Sequence, residues 1–507
     1  MGDKTTGVSP LGIKAKSSSP QIDLDTGEVL ESQKRRSDRR DRYDLARTSR
    51  AIYANEGKRQ GLDYILNYHR TAKCSYIAHS DIEIMKSCEH KSTFFTGVTT
   101  CGSVWTCPMC AAKVQERRRG EISHAIDYFY EQDKQAMMIT FTFSHKFEDR
   151  LEDLLTKQAE AFKLLRSGKA WQSFKKAFGF EGLIRSLEIT YGSNGYHPHT
   201  HELWFVDKVF DRATVETYVQ RKFRYKRDHW YRDALLELDS ETIFKKLLMD
   251  RWHHVCEKAG LMEGVDESAF MLHAVDVKFK VSNSDYLAKQ DDSRHWGADR
   301  EVAKASTKQG RAKGMHPFMF LSKFSETGDG VWAKRWLDYT SAMDGKRQLY
   351  WSQGLKELVG LDDYTDEQLA VLDEDEASSI YKMDKKGGEW KRARCNPSIV
   401  LDTAEDTSNK QVIAAVIGSI NPDPDYERAA TADEALPLTE RIYQLSGEEM
   451  QEIGEDFKAT LDKPLQPLAP TNKGKSMANK YGNSMPWLDP DDDHQTHDEN
   501  GKVIFRF

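Results

Sequence analysis

An α+β fold built on a central antiparallel sheet is what the sequence predicts, and three observations carry that prediction. Strand and helix periodicities alternate between residues 136 and 280. Cysteines concentrate just ahead of this region, and acidic, turn-rich sequence follows it.

The first strand is "AMMITFTF", residues 136–143, where Met137, Ile139, Phe141 and Phe143 alternate and so share a face. Residues 150–178 place Leu151, Leu154, Leu155, Phe162 and Leu165 on one helical stripe. "GLIRSLEITY" alternates again, "GSNG" is a turn, and "GYHPHTHELWFV" is the return strand of a hairpin. Residues 212–260 have helical spacing. "FMLHAVDVKF" is expected as a fourth strand, with His273, Val275, Val277 and Phe279 alternating. Strand, helix, hairpin, helices, strand is the split βαβ order of a ferredoxin-like (RRM-like) domain. Such a sheet carries helices on one face and leaves the other open for a ligand.

A chain of 507 residues has room for several domains. Its 38% hydrophobic and 31% charged residues fit a globular part with solvated flanks. No apolar run reaches the roughly 18 residues of a membrane span, and "MGDKTTGVSP" lacks the apolar core of a signal peptide. Seven cysteines, an odd number, suggest a reducing compartment with metal sites or free thiols. The expectation is a cytoplasmic protein with no membrane partner.

The net charge of −7 hides an asymmetry. Residues 361–507 carry 31 acidic and 16 basic side chains, so the first 360 residues are net +8. A basic front permits a polyanionic partner without demanding one. Four regions are expected: a basic, largely disordered arm over 1–62; a cysteine-rich element over 63–120; the α+β domain with a helical extension over 121–358; and an acidic, mostly disordered tail over 359–507.

The hairpin holds the sharpest signal. If Tyr191 faces Tyr196 across the turn, Glu188 lies opposite His199 and Thr190 opposite His197. Directly opposed Cβ atoms are about 4.5–5.5 Å apart. One face then presents Glu188 with His197, His199 and His201. Stacked imidazoles gain nothing alone and repel if protonated, so the set reads as a divalent metal site with open positions. Satisfied core histidines are the competing reading.

"GYHPHTHELWF" resembles the His-hydrophobic-His motif of HUH endonucleases, with Thr200 at the usually hydrophobic position. More narrowly, "SLEITYGSNGYHPHTH" is similar to plasmid rolling-circle replication initiators (Rep proteins), and "ITFTF" resembles their first motif. The likeness runs over about residues 95–358. It implies a third motif with a nucleophilic tyrosine followed by a lysine, and "VSNSDYLAKQ" fits with Tyr286 and Lys289. Ser282 and Asp285 have capping-box spacing, so Tyr286 and Lys289 would share a helix face. Tyr286 alone would be an ordinary helix residue, since the chain has 20 tyrosines. The sequence departs from the single-tyrosine pattern one turn earlier, where Ser282 stands in place of a glutamate.

"CGSVWTCPMC" places Cys107 and Cys110 at zinc-knuckle spacing, with Cys101 as a third ligand. Cys88, His90 and Cys74 compete for the fourth place, Cys88 being preferred. Free buried cysteines are the alternative. Trp332, Trp336, Tyr339 and Trp351 read as core, or as platforms for unpaired bases.

The resemblance implies metal-dependent (Mn²⁺ or Mg²⁺) nicking and strand transfer on plasmid origin DNA, single-stranded or extruded as a hairpin. The intermediate would be a covalent 5′-phosphotyrosine. Structural Zn²⁺ would sit in the cysteine element. Implied partners are a host helicase and DNA polymerase, with the oligomeric state open and a dimer on the origin included. The second hypothesis is a zinc-stabilised, noncatalytic nucleic-acid-binding regulator.

Overall fold

The computed structural model describes residues 30–62, 69–88, 91–282, 314–371, 377–385 and 387–422, with two short strands at 495–497 and 503–505. Its first half comprises α1 (Leu30–Arg59), α2 (Arg70–Lys73), β1 (Ala78–Ser87), β2 (Thr93–Val98), α3 (Pro108–Glu131), β3 (Lys134–Phe141), α4 (Leu151–Leu165), α5 (Gly168–Ala177), β4 (Gly182–Gly192), β5 (Gly195–Asp207), α6 (Arg212–Lys222), α7 (His229–Leu236), α8 (Ser240–Lys258), α9 (Glu267–His273) and β6 (Val275–Lys278). Beyond residue 313 follow α10 (Phe318–Thr327), α11 (Gly330–Ala342), β7 (Leu349–Trp351), α12 (Leu355–Leu358), α13 (Asp366–Val371), β8 (Ala377–Met383), α14 (Gly388–Ala393), α15 (Pro397–Asp406) and α16 (Lys410–Ser419).

The main sheet has the order β6-β3-β5-β4-β7, with every neighbouring pair antiparallel. Met137, Ile139 and Phe141 of β3 are fully buried against α4 and α8 through Phe162 and Trp252. The expected stripe of α4 is buried throughout, from Leu151 to Leu165. The helical pattern over 150–178 is broken at Ser167, and Gly168 takes a left-handed φ of +76° that starts α5. Residues 270–273 are the end of a helix, so the fourth strand is only Val275–Lys278 and His273 lies outside it. Asp266 accounts for this: its side chain caps the helix by accepting from the Ser268 and Ala269 amides.

The other face of the sheet is not left wholly open. Ile122, Ile126 and Phe129 of α3 pack on Ile184, Leu203 and Phe205, covering one end of the strands. The opposite end, around His197–His201, remains for a site. β7 extends the sheet beyond β4, pairing Tyr350 with Arg185. Trp336 and Tyr339 are core residues, against Phe318 and Tyr53.

Two expectations about the flanks are corrected. The arm over 1–62 is helical from Leu30, with Leu45, Ser49, Ile52 and Tyr53 buried at helical spacing. The acidic tail begins folded: β8 joins β1 and β2 in a second sheet of order β2-β1-β8, covered by α14–α16. Its core contains Ile82, Ile84, Ile380, Trp390, Leu401 and Ile417. A boundary at 120 would cut α3, and strands from the 63–120 region are completed by residues near 380. Neither half of this sheet could bury its apolar face alone, which is why sequence windows before and after the main domain look weakly structured. Residues 1–29 and most of the chain beyond 422 lie outside the described residues.

Candidate metal and nucleic-acid site

The β4–β5 hairpin turns on Ser193–Asn194, two residues rather than four, with Gly192 paired to Gly195. Gly195 has φ +80°, and a Cβ there would lie 3.0 Å from the Phe147 carbonyl oxygen, so only glycine fits comfortably. The shorter turn leaves the expected register unchanged: Tyr191 pairs with Tyr196, Thr190 with His197 and Glu188 with His199.

Glu188, His199 and His201 converge, their ligand atoms all within 4.8 Å of one another. Glu188 Oε2 lies 3.0 Å from His199 Nε2 and 3.3 Å from His201 Nε2. His199 Nδ1 faces the His197 carbonyl oxygen at 3.4 Å, an acceptor that fixes the proton on Nδ1. Thr140 Oγ1 lies 2.9 Å from His201 Nδ1 and orients that ring. Both rings thereby turn Nε2 toward the same carboxylate oxygen. Burial would raise the Glu188 carboxyl, but hydrogen bonds and charge from His199 and His201 outweigh it and hold it well below the usual range. Two imidazoles and one carboxylate converging on one point are a donor set that suits a divalent transition metal. The residues fit the metal expected of them.

His197 departs from the expected set. Its Nδ1 is 2.6 Å from His145 Nε2 and its Nε2 is 3.2 Å from Thr142 Oγ1. His145 Nδ1 in turn donates to the Asn194 carbonyl at 2.7 Å, so its Nε2 accepts from His197. Burial pushes His197 down to about 3, helped by His199 and His145. His197 is a neutral brace of the hairpin. The sequence reading missed Thr140, Thr142 and His145. The two threonines sit at the alternate positions of "ITFTF", so strand alternation could have found them. It also missed His316, half-buried near Glu188 and pushed down to about 4 by its burial.

Tyr286 and Lys289 lie outside the described residues. The chain reaches them from Val281, whose amide donates to the Ala136 carbonyl, and returns at Met315, bridged to Tyr191 beside the hairpin.

In the cysteine element the fourth member is Cys74, not Cys88. Cys74, Cys101, Cys107 and Cys110 are all buried with Sγ atoms within 4.8 Å, whereas Cys88 is exposed. Cys74 Sγ and Cys101 Sγ lie 3.5 and 3.7 Å from Cys110 Sγ. A tetrahedron with zinc–sulfur arms of about 2.3 Å has edges near 3.8 Å, so the spacing fits zinc. Hydrogen bonds from Cys101, Cys107 and Cys110 hold the Cys74 thiol well below its ordinary value. α1 secures the element: Arg50 donates to the carbonyls of Ala72 and Cys74. Sequence distance hid Cys74, because 26 residues containing the β1–β2 hairpin separate it from Cys101.

Residues 93–232, which include the histidine hairpin, Glu188 and three of the four clustered cysteines, match the family described as Replication protein. The chain is similar to "Protein rep" of Streptomyces lividans, 24% identical over 315 residues, covering 52% of this chain and 65% of that protein. It is also similar to a protein of Streptomyces cyanogenus called "Neomycin resistance protein", 30% identical over 135 residues, 22% of this chain and 31% of that one. The chain thus spans less than two thirds of either relative. No solved structure matches. The likeness to replication proteins thus rests on residues 93–232 and on the Streptomyces lividans protein. Among the described residues no helix is long and apolar enough to cross a membrane.

Proposed function

We propose that this protein starts rolling-circle plasmid replication by nicking one strand at the origin through Tyr286, in the cytoplasm, using an HUH-type, ferredoxin-like domain. The observation that carries this reading is the convergence of Glu188, His199 and His201 on one face of the β4–β5 hairpin. A divalent cation bound there, Mn²⁺ or Mg²⁺, would supply Lewis acidity to an oxygen of the scissile phosphate. The Tyr286 oxygen attacks phosphorus, the bond to the 3′ oxygen breaks, and that oxygen leaves as a 3′-OH. The 5′ phosphate stays on the tyrosine, conserving the bond for a later strand transfer. Lys289, three residues on in the sequence, would favour the phenolate of a group whose ordinary pKa is near 10. Thr140 orients the His201 ring through its contact with Nδ1. The freed 3′-OH is what a host polymerase extends, and a host helicase opens the strands ahead of it. Zinc in the cysteine cluster would be structural.

The test is incubation of purified protein with Mn²⁺ or Mg²⁺ and supercoiled plasmid carrying its own origin. The expected product is a covalent protein–DNA adduct on a denaturing gel, mapping to Tyr286 by peptide mass and lost in Tyr286→Phe. Metal-dependent binding to the same DNA without any adduct would reject nicking in favour of a noncatalytic regulator.

A further inference from the structure

Six of the twelve residues from Arg221 to Arg232 are basic and only Asp228 is acidic, in a chain whose net charge is −7. The segment leaves α6, passes through a 3-10 turn at Lys226–Asp228 and enters α7. Its aromatic residues divide by direction. Phe223 and Tyr231 are buried and meet edge-to-face at 5.3 Å, which anchors the segment to the core. Tyr225 and Trp230 are exposed, at 43% and 37%.

Arg221, Arg224, Lys226 and Arg227 are exposed around them. The Arg224 and Arg227 guanidinium groups lie 5.0 and 5.7 Å from the Tyr225 ring centroid. Asp228 is buried and pairs with Arg227 at 3.5 Å, so it offsets one of the six positive charges. Stacked guanidinium groups are partly pre-organised, so less rotamer freedom is lost when they bind an anion.

The patch does not belong to the candidate metal site. Val215, Val219, Phe223, Tyr231 and Leu235 share a core with Trp204 and Val206. Strand alternation puts those two β5 side chains on the face opposite His199 and His201. The patch therefore stands behind the sheet from the metal-binding face.

We propose that residues 221–232 are a second DNA-docking surface, which holds duplex DNA by its phosphates while the hairpin face receives the strand to be cut. Duplex DNA, with one charge per about 1.7 Å of axis, complements a dense cationic segment, and Tyr225 and Trp230 supply apolar contact to sugars. The proposal rests on the nicking reading only for the choice of DNA as the polyanion.

The test uses the full zinc-loaded chain with no added Mn²⁺ or Mg²⁺ and a fluorescent duplex carrying its origin, with binding measured by anisotropy across a salt series. Replacing Arg221, Arg224, Lys226 and Arg227 together by Ala is expected to weaken binding at least about tenfold. It should also shrink the slope of log affinity against log salt by about 3–4, at roughly 0.9 for each phosphate that is no longer neutralised. Arg221→Glu alone should act in the same direction if the fourfold variant does not fold. Replacing the three arginines by Lys should keep the slope. Adduct formation on a short single-stranded origin oligonucleotide should be unchanged in every variant.

Unchanged duplex affinity and slope in a folded variant would overturn the proposal. So would loss of binding to anionic phospholipid vesicles with DNA binding intact. Failure of the wild-type chain to form any adduct would instead reject the nicking reading, with the binding test still decisive for the docking surface.

Discussion

Arg39 Nη1 lies 2.5 Å from Asp402 Oδ1 across 363 positions of sequence, and both side chains are buried. Arg39 Nη2 holds Glu405 Oε2 at 2.5 Å, while Arg35, Arg36 and Arg40 pair with Glu405, Asp406 and Asp402 in turn. The basic run near the N-terminus is therefore neutralised by α15 and ties α1 to the second sheet. It is not a free arm for phosphates.

Breaking a buried pair leaves an uncompensated charge, at a cost of about 3–5 kcal/mol. Arg39→Ala is expected to destabilise the protein by about that much in urea titration. Lys163→Ala, which removes an exposed pair with Glu160, should cost less than about 1 kcal/mol. Equal effects of the two changes would show that the α1–α15 contact is not buried in solution.

Stability should depend on pH in two opposite ways. Burial alone would raise Glu405, but Arg39 and then Arg35 outweigh it and hold its carboxyl below the ordinary 4.5. The unfolded chain thus takes up that proton first. The stabilisation is present above about 4.5 and lost as pH falls through the folded value.

Asp250 behaves in reverse. Burial pushes it up to about 6 from 3.8, against the hydrogen bond from Tyr231. Its contribution is present below about 3.8 and lost as pH rises through about 6. Melting temperature against pH should show Glu405→Gln flattening the acid limb. Asp250→Asn should gain stability at pH 7, on the order of 2 kcal/mol. An Asn variant less stable than wild type at pH 7 would overturn the Asp250 account.

Metal binding can be read without DNA. Glu188→Gln and His199→Ala should abolish tight Mn²⁺ binding in EPR titration. Thr140→Val should weaken it by about 10–100-fold, the usual cost of losing a partner that orients a ligand. His197→Ala should cost less than His199→Ala, because His197 is already committed to His145 and Thr142. If the two histidine variants are equally damaged, His197 is a ligand and its pairing with His145 does not persist in solution.

The cysteine cluster predicts about one zinc per chain by elemental analysis. Cys74→Ser should release it and lower the melting temperature. Cys88→Ser should retain it. Zinc loss from the Cys88 variant would restore the ligand set preferred from sequence.

The hairpin is legible in the sequence because strand alternation and a turn signal are local: they place Glu188 opposite His199 even though the turn is two residues shorter than expected. The α4 stripe and the Cys107–Cys110 knuckle are legible for the same reason. His273 falls outside its expected strand because apolar alternation in "FMLHAVDVKF" also fits a helix end, which the Asp266 cap decides. By itself the sequence determined the β4–β5 register, the three-histidine face and the short-range cysteine spacing, since each depends on residues within about ten positions. Only the tertiary structure decided that Cys74 completes the cluster, that His197 turns to His145, and that the N-terminal arginines find their carboxylates on α15. Those outcomes depend on partners brought together by burial across tens to hundreds of residues, and no local period records them.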